Sequence, residues 1–572
     1  MKRCPECRRD YFDDSLVYCL DDGSALLEGP AGVSGSIDEP RTAILHATTP
    51  PAEAQTRAQI HSTDQTSVLP SGISEPQKPK TFDKRLLLAP LVLAAIVLAG
   101  FAGYRYFNAA DTEQVNSIAV LPFENRSGSG DTEYLSDGLA DSLIYRLSQL
   151  PNLKVSPTSS VMRYKGKETD VAQIARDLAV DAVMSGRLVQ RGDDLSISVQ
   201  LIDARTEKII WAEQYDRKMA ELLATQREIA TTITQKLKLK LGGAESKGIV
   251  KKYTDSNEAY QAYLKGRYYW NRRTAENLKK AIEQFKAATE RDSNFALAFV
   301  GLADCYALLG EYAGAPSSET IPKSKAFAER ALQLDSGLGE VHATLALVAD
   351  YSWQWAEAER EFKFAMEANP NYPTTYHWYS ISLKALGKYD EADAMIRRAQ
   401  ELDPLSSVIS VNITRMLQIQ KNDDAAIQHT LKLIELDPNF PAAYQYIALS
   451  YARQGRFAEA ISSAEKSVEM GNRSGIALGD LGFVYALAGR NEQARSIIKE
   501  LEAKYARGEA KPLFIAVVYA GLAEKEKMFE WLEKGVEERS GQLAEIRWQM
   551  PFDPFRDDPR FKSLLKRMNL PE

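Results

Sequence analysis

The sequence predicts a multidomain chain that combines a small cysteine-bearing module, one transmembrane helix, an α/β domain and an all-α repeat solenoid. Three observations predict this fold class. Three of the four cysteines lie in the first nineteen residues, residues 86–103 form an uninterrupted apolar run, and alanines recur every 34 residues between Ala358 and Ala494. A chain of 572 residues is also too long for one hydrophobic core, so several domains are expected.

The composition limits the function classes. The net charge of −7 argues against binding of duplex DNA, because such binding requires a basic protein face. Only five histidines occur, and the sequence contains no phosphate-binding loop, metalloprotease motif or kinase motif. The chain is therefore expected not to be an enzyme, with an unrecognised site in residues 116–242 as the alternative.

The N-terminal module spans residues 1–29. Cys4 and Cys7 enclose two residues, and Cys19 and Asp22 repeat that spacing. Two such pairs can surround a tetrahedral metal ion, and a carboxylate is an acceptable fourth ligand. This pattern resembles a short zinc ribbon and predicts a structural zinc ion on these four residues, with Asp21 competing for the fourth position. The alternative is a metal-free module with three free thiols.

Residues 30–83 are rich in Pro, Ser, Thr and Gln and predict a disordered linker, because they bury too little apolar surface to offset chain entropy. Residues 84–107 predict one transmembrane helix: the run Leu86–Gly103 rises about 27 Å, close to the ~30 Å hydrocarbon core of a bilayer. Basic residues cluster before the run, and only Arg105 follows it closely. The positive-inside rule then predicts a single-pass protein of the bacterial inner membrane, with a cytoplasmic N-terminus and extracytoplasmic C-terminal domains.

Residues 116–242 are predicted to form an α/β domain. Apolar and polar residues alternate from Leu195 to Leu201, as in a strand with one buried face. Glu133, Asp137 and Asp141 follow one another at helical spacing. This spacing predicts a solvated acidic face, with a site for a cation or basic partner as the alternative.

A family resemblance adds to this reading of the α/β domain. The stretches Ile118–Phe123 and Tyr134–Leu139, together with Asn125 and Gly186, resemble the TolB-like amino-terminal domain of bacterial envelope proteins. The resemblance implies a fold and an interaction role rather than a reaction.

Residues 256–572 are predicted to be an all-α repeat solenoid with a C-terminal cap. Two sets of residues recur at a spacing of 34, the alanines 358, 392, 426, 460 and 494 and the prolines 370, 404 and 438. Small residues let paired helices approach closely, and proline ends the second helix of each pair. Each pair leaves an apolar face that only the next pair covers, so about eight units are expected to stack.

The repeat pattern resembles the tetratricopeptide repeat (TPR). Its small, aromatic and proline positions are occupied in two successive units by Ala346, Ala358, Phe362, Ala365 and Pro370, and by Tyr389, Ala392, Ala399 and Pro404. The resemblance implies a concave groove whose facing positions are occupied by Tyr351, His377, Lys384, Gln445 and Arg453. Polar and aromatic side chains in a groove suit the capture of a protein or peptide, with ordinary surface variation as the alternative.

These features favour a single-pass membrane-anchored scaffold that binds proteins or peptides through its extracytoplasmic groove. The alternative hypothesis is a transmembrane signalling protein that reports groove occupancy to a cytoplasmic zinc ribbon. For stability, the 34-residue phase predicts that Ala392→Leu destabilises the array, whereas Lys384→Ala, as a change in the groove, leaves stability nearly unchanged.

Overall fold

The structure, a computed structural model, describes residues 2–3, 10–11, 27–28, 115–128, 130–167, 170–239 and 241–571. The chain divides into two compact units, Met1–Ala95 and Ile96–Glu572. In the described part of the first unit, strands β1 (Lys2–Arg3), β2 (Asp10–Tyr11) and β3 (Leu27–Glu28) pair antiparallel in the order β2-β1-β3. The predicted metal ligands Cys4, Cys7, Cys19, Asp21 and Asp22 lie outside the described residues.

The predicted fold class and localisation need correction. Within the described ranges, no helix is both long and apolar enough to cross a membrane, which contradicts the expected transmembrane helix and the single-pass inner-membrane location. Even the longest described helix, Ser317–Leu334, has only 18 residues, and five of them are charged. Residues 30–83 and 84–107, on which the linker and the span were placed, lie outside the described residues. The described chain is mostly a helical TPR solenoid with a small β domain.

The small β domain is built on a mixed sheet. Over residues 117–218 its strands are β4 (Ser117–Val120), β5 (Glu124–Asn125), β6 (Lys154–Val155), β7 (Ala182–Arg191), β8 (Asp194–Asp203) and β9 (Lys208–Lys218). The order is β6-β4-β7-β8-β9, and β5 also pairs with β7. Strand β4 runs parallel to β6 and β7, whereas β7, β8 and β9 form an antiparallel meander.

The predicted alternation in β8 is present, but its neighbour β9 departs from it. The inward residues Leu195, Ile197, Val199 and Leu201 are buried, and Trp211 and Tyr215 of β9 face the same core. Ile209, two residues before Trp211 in the same strand, is nevertheless 60% exposed. The pairing shifts by one residue between Leu201 and Ile202, and such a bulge reorients the side chains that follow it.

The helices of the β domain cover the sheet and connect it to the repeats. They are α1 (Glu133–Ser148), α2 (Thr158–Val161), α3 (Val171–Leu178), α4 (Leu222–Lys236) and α5 (Gly243–Val250). Helix α3 begins where the Asp170 side chain accepts a hydrogen bond from the Ala172 amide, and it ends at Ala179 in the left-handed region. Helix α1 contacts the first helix of the repeat array.

The array comprises eight helix pairs over residues 257–537. The pairs are α6 (Asn257–Trp270) with α7 (Ala275–Arg291), α8 (Ala296–Tyr312) with α9 (Ser317–Leu334), α10 (Gly339–Tyr351) with α11 (Trp355–Ala368), α12 (Pro373–Ala385) with α13 (Tyr389–Leu402), α14 (Ser407–Ile419) with α15 (Asp423–Leu436), α16 (Pro441–Arg453) with α17 (Phe457–Met470), α18 (Gly475–Leu487) with α19 (Asn491–Ala506), and α20 (Pro512–Gly521) with α21 (Lys525–Glu537). Helix α22 (Pro559–Arg567) follows the last pair.

The 34-residue ladder occupies the tightest contacts of these pairs. The five alanines from Ala358 to Ala494 are 0% exposed. A second set of small residues, in the first helices, has the same spacing; its members Ala346, Ser380 and Thr414 are also 0% exposed. At Gly482, which belongs to this second set, an added Cβ would lie 2.6 Å from Cγ2 of Val518. Helices approach this closely only where side chains are small, which is why the period is visible in the sequence.

The acidic face of α1 is not solvated as predicted. Asp141 is 3% exposed, and its carboxylate accepts a hydrogen bond of 2.8 Å from Nε of Arg267 in α6. Burial alone would raise the pKa of Asp141, but the Arg267 guanidinium and its hydrogen bonds hold that pKa below its usual value. Asp137 and Glu133 both pair with Lys165. The acidic row therefore holds the β domain together and fixes it to the repeats.

The β domain lies along one edge of the array, where the second helices end. Four residues at those ends are again 34 residues apart: Asp335, Asn369, Asp403 and Asp437. Lys251 Nζ lies 2.5 Å from Asp335 Oδ2, and Arg163 NH2 lies 3.6 Å from Asp437 Oδ2. This edge ladder gives the β domain one anchoring position in each of several successive units.

Two residues of the edge ladder, Asn369 and Asp403, take part in hydrogen bonds that are buried where the β domain meets the repeats. Asp403 accepts hydrogen bonds from the hydroxyls of Ser159 and Ser160. Asn369 and Gln149 both donate to the Glu340 carboxylate, at 2.6 and 3.0 Å. The repeats and the β domain thus share buried polar contacts that neither would satisfy alone.

Candidate peptide-binding groove

The first helices of the TPR pairs form the inner surface of the array. First helices of neighbouring units contact one another, for example α6 with α8, α10 with α12, and α16 with α18. All five residues predicted to face the groove come from first helices: Tyr351 from α10, His377 and Lys384 from α12, and Gln445 and Arg453 from α16. Two of these residues contact the C-terminal segment: Tyr351 packs against Gly541, and Lys384 lies beside the ring of Trp548.

The C-terminal segment, residues 541–571, folds back onto the array. It forms two short 3-10 turns, Gly541–Arg547 and Met550–Phe555, before helix α22. Its apolar side chains Leu543, Ile546 and Phe552 are 0% exposed. An added Cβ on Gly535 of α21 would lie 2.9 Å from Leu543, which shows how tightly the segment covers the last unit. This covering matches the capping role expected of the tail.

The opposite side of the C-terminal segment enters the groove. The Trp548 ring lies 4.5 Å from Cζ of Arg415 and 5.1 Å from Nζ of Lys384, both measured to the ring centroid. Oε2 of Glu545 lies 3.6 Å from NH2 of Arg415. Cations stacked on an indole and paired with a carboxylate are favourable when water is excluded. The chain thus fills part of its own groove.

The array also closes on itself. Trp355 Nε1 donates a hydrogen bond of 2.8 Å to the carbonyl of Met568. At Gly314, which has a φ of 68°, an added Cβ would lie 3.0 Å from the carbonyl oxygen of Gly508. Gly314 lies in the loop between α8 and α9, and its contact brings that unit against the loop before α20. Early and late units therefore enclose the concave surface.

The central predicted groove residues are buried beneath the C-terminal segment. Lys384 is 0% exposed, and its Nζ donates to Oδ1 of Asn412 at 2.9 Å. The Asn412 amide nitrogen lies 2.9 Å from Nε2 of His377. Burial, with the Lys384 charge nearby, lowers the pKa of His377 to about 3, and burial also lowers the pKa of Lys384. Tyr351 packs against Gly541, whose added Cβ would lie 2.6 Å from its ring.

The two predicted residues of α16 hold neighbouring units together. Gln445 is 5% exposed and donates a hydrogen bond of 2.6 Å to Oδ2 of Asp480 in the next unit. Arg453 donates to the carbonyl of Gln418 at 2.7 Å and pairs with Asp423 at 3.2 Å. The Arg453 side chain remains 24% exposed, so of these two residues it is the one that reaches solvent.

The sequence did not predict several residues that line the groove. Gln418 lies 34 residues after Lys384, and Ile419 lies 34 residues before Arg453, so the repeat phase alone could have identified both. Neither Arg415 nor Asn412 lies 34 residues from a predicted groove residue, so the repeat phase does not identify them. Trp548 is outside the helix pairs altogether, and no spacing rule points to it.

An open cleft of about 620 Å³ remains between the groove and the C-terminal segment. Helices α13 and α14 and the turns after them supply Tyr389, Gln418, Ile419 and Lys421, and α16 supplies Arg453. The C-terminal segment supplies the other wall, with Arg547, Trp548, Asp553, Arg556, Asp557, Phe561, Lys562 and Leu565. A cleft of this size, with apolar and charged walls, suits a protein segment better than a metal ion or a buried small molecule.

Comparisons with known families agree with the repeat architecture. Tetratricopeptide repeat models match residues 263–318, 373–404 and 447–509. The helical array of this chain therefore contains tetratricopeptide repeats. A further model, for the second domain of HilA/YgeH-like transcriptional regulators, matches residues 113–232. The TolB-like resemblance of that region stays a prediction.

Two curated relatives each match about half of this chain. The putative adenylate cyclase 3 of Rhizobium meliloti (strain 1021) is 27% identical over 287 residues, which cover 48% of this chain and 42% of that protein. The transcriptional regulator HilA of Salmonella typhimurium is 21% identical over 303 residues, which cover 52% of each chain. The chain thus spans about half the length of the curated relatives it matches.

Solved structures of TPR proteins are also similar in part. A structure of Pseudomonas aeruginosa PilF has a TM-score of 0.30 and 19% identity, over 38% of this chain and 94% of that one. YrrB, described as a TPR protein with an unusual peptide-binding site, has a TM-score of 0.24 and 21% identity, over 34% of this chain and 95% of that one.

Proposed function

We propose that this chain is an interaction scaffold that binds a segment of another protein, or a peptide, in the open cleft of its TPR array. The observation that supports the proposal is the cleft of about 620 Å³ on the concave surface, bordered by first helices of successive units. TPR units provide this function because their first helices present side chains at a constant period to a bound chain. Part of the groove already holds an irregular segment of this chain, residues 541–555.

A peptide display experiment tests this function. Peptides are selected from a random library on the full chain, and their affinities are measured for the wild type and for Ile419→Trp, which fills the cleft. Leu431→Trp, an exposed position on the second helix of the same unit, is the matched control. Binding that is lost in Ile419→Trp and kept in Leu431→Trp supports the proposal. Selected peptides that bind both variants equally would place the binding surface elsewhere.

A second candidate function is regulatory. The match of residues 113–232 to a transcriptional-regulator domain, and the buried contacts of that domain with the repeats, favour a module that passes groove occupancy to an effector. Under this hypothesis, a selected peptide should change amide hydrogen exchange in α1 as well as in the groove. Exchange that changes only in the repeats would argue for a scaffold without coupling.

We propose no catalytic role. The β domain has an open cleft of about 660 Å³ beside β8 and β9, lined by charged residues that include Asp216 and Lys218. The Ser196 hydroxyl lowers the pKa of Asp216, and Asp194 raises the pKa of Lys218, so both keep their charge at neutral pH. A general acid or base needs the opposite shifts. Incubation with ATP and a divalent metal should therefore yield no cyclic AMP, and cyclic AMP formation would refute this proposal.

We also propose, from residue spacing alone, that Cys4, Cys7, Cys19 and either Asp21 or Asp22 hold one structural zinc ion. In the described part of the chain, no group of three His, Cys, Asp or Glu side chains is arranged to hold a metal. Elemental analysis of the purified full chain should therefore give about one zinc per chain, and Cys7→Ser should lose it. Zinc that stays bound in Cys7→Ser would exclude this ligand set.

A further inference from the structure

The open cleft is rich in positive charge although the chain as a whole is acidic. Five basic side chains line it, Lys421, Arg453, Arg547, Arg556 and Lys562, against the two acidic side chains Asp553 and Asp557. The whole chain has a net charge of −7. A local excess of cations in such a chain is a feature of this cleft rather than of the surface in general.

Part of this positive charge is not neutralised by neighbours. Arg453 pairs with Asp423, and Arg556 pairs with Asp553 at 2.6 Å. Lys421 and Lys562 are exposed, and neither has a carboxylate within salt-bridge distance among the residues that the structure describes. Two unpaired ammonium groups therefore face the same cleft from opposite walls, one from the repeats and one from α22.

Four apolar side chains also line the cleft. Ile419 contributes from α14, Trp548 from the C-terminal segment, and Phe561 and Leu565 from α22. The Arg547 Nε, at the same wall, is buried without a hydrogen-bond partner in the described part of the chain. A cleft that presents apolar side chains together with one unpaired cation from each wall is complementary to a segment that carries both apolar side chains and carboxylates.

We propose that the cleft selects an acidic segment of a partner protein, with one or two aromatic or aliphatic side chains seated on Ile419 and Trp548 and carboxylates at Lys421 and Lys562. The inference rests on the proposed function and adds the chemistry of the ligand. Charge complementarity carries it, because bound carboxylates would pair with two ammonium groups of the cleft that have no carboxylate partner among the described residues. A nucleic acid strand and a second copy of this chain are the competing occupants.

The test uses the full chain and a short fluorescein-labelled peptide of Glu, Asp and Phe, followed by fluorescence anisotropy. The variant Lys421→Glu/Lys562→Glu reverses the two unpaired charges. The matched control, Lys432→Glu/Lys499→Glu, makes the same charge change at exposed positions on the outer helices α15 and α19. We expect the cleft variant to bind about tenfold more weakly, the control to bind as the wild type does, and added salt to weaken wild-type binding. Both variants should melt as the wild type does, because the altered side chains are exposed.

Other outcomes overturn the inference in separable ways. If Ile419→Trp abolishes peptide binding and Lys421→Glu/Lys562→Glu does not, the cleft binds peptides without selecting acidic ones, and the proposed function survives. If neither variant affects binding, the acidic peptide binds outside the cleft. A single-stranded oligonucleotide that binds more tightly than the peptide, with the same sensitivity to charge reversal, would assign the cleft to nucleic acid. Sedimentation that shows a dimer lost on charge reversal would assign it to a second copy.

Discussion

A charged side chain is buried at a cost unless a partner satisfies it, and two of those that this chain buries have such a partner: Asp141 accepts a hydrogen bond from Arg267, and Lys384 donates one to Asn412. The spacing of Glu133, Asp137 and Asp141 indicates one helix face correctly, but it cannot show that α6 packs on that face and delivers Arg267. The same holds for Lys384, which lies at a groove-facing position and is nevertheless covered by Trp548. Periodicity identifies the face of a helix, whereas the partner that covers the face is set by contacts distant in sequence.

Replacing only one partner of the buried Asp141–Arg267 ion pair is expected to destabilise the folded chain. Arg267→Met leaves the buried carboxylate without its cation and should reduce the free energy of unfolding by about 3–5 kcal/mol at neutral pH. Chemical denaturation of the full chain measures this change. The double variant Asp141→Asn/Arg267→Met should recover part of the loss, because no buried charge is then left unpaired. A double variant as unstable as the single one would argue against the pair.

The same pair predicts a pH dependence with a definite sign. The pKa of Asp141 in the folded protein is below its ordinary value of 3.8, so the carboxylate stabilises the fold fully above that value. This stabilisation is lost as the pH falls through the depressed folded pKa. The difference in unfolding free energy between the wild type and Arg267→Met should therefore shrink steadily toward acid, and a difference that grows would reverse the assignment.

Lys384 now carries the opposite prediction from the one drawn from sequence. Because its side chain is 0% exposed and donates to Asn412, Lys384→Ala should leave a cavity and an unpaired amide oxygen, at a cost of about 2 kcal/mol or more. Lys384→Met keeps the volume and removes a buried charge, so it should stay within about 1 kcal/mol of the wild type. Denaturation midpoints of the two variants check this, and equal midpoints would mean that the side chain is accessible.

At the scale of helices, the repeat phase was the most predictable property of the chain. A position that must be small recurs wherever two helices cross at the same place, so a single sequence reveals it without any knowledge of long-range contacts. The C-terminal segment has no period. Its sequence does not show which side chains pack on the last unit and which enter the groove. For this reason the sequence did not predict that the C-terminal segment fills part of the groove.

Ala392 tests the phase directly. It is 0% exposed where α13 approaches α12, and Ala392→Leu should lower the free energy of unfolding by about 1–3 kcal/mol through overpacking. Ala394→Leu, two residues further along the same helix and exposed, is the matched control and should change stability little. Thermal unfolding followed by circular dichroism measures both. Equal effects of the two substitutions would mean that the helix faces are assigned incorrectly.

At the scale of the whole described chain, the edge ladder joins the two regions. Asp335, Asn369, Asp403 and Asp437 each follow directly after the last residue of a second helix, so the sequence alone assigns them only to turns. The structure adds that Lys251, Ser160 and Arg163 of the neighbouring β domain region bind at this edge. The repeats and the β domain are therefore expected to stabilise each other and not to behave as independent modules.

A double-mutant cycle at Asp403 measures that mutual stabilisation. Asp403 is 3% exposed and accepts hydrogen bonds from Ser159 and Ser160 across the contact, so Ser160→Ala and Asp403→Ala remove two sides of one interaction. Hydrogen bonds to charged groups contribute about 1.5–3 kcal/mol, and we expect a coupling energy of about that size in the unfolding of the full chain. Ser160→Ala combined with Arg490→Ala, an exposed change on a distant unit, should be additive within about 0.5 kcal/mol. Additivity in the Asp403 cycle as well would mean that the β domain rests on the array without stabilising it, and the regulatory hypothesis would lose its physical basis.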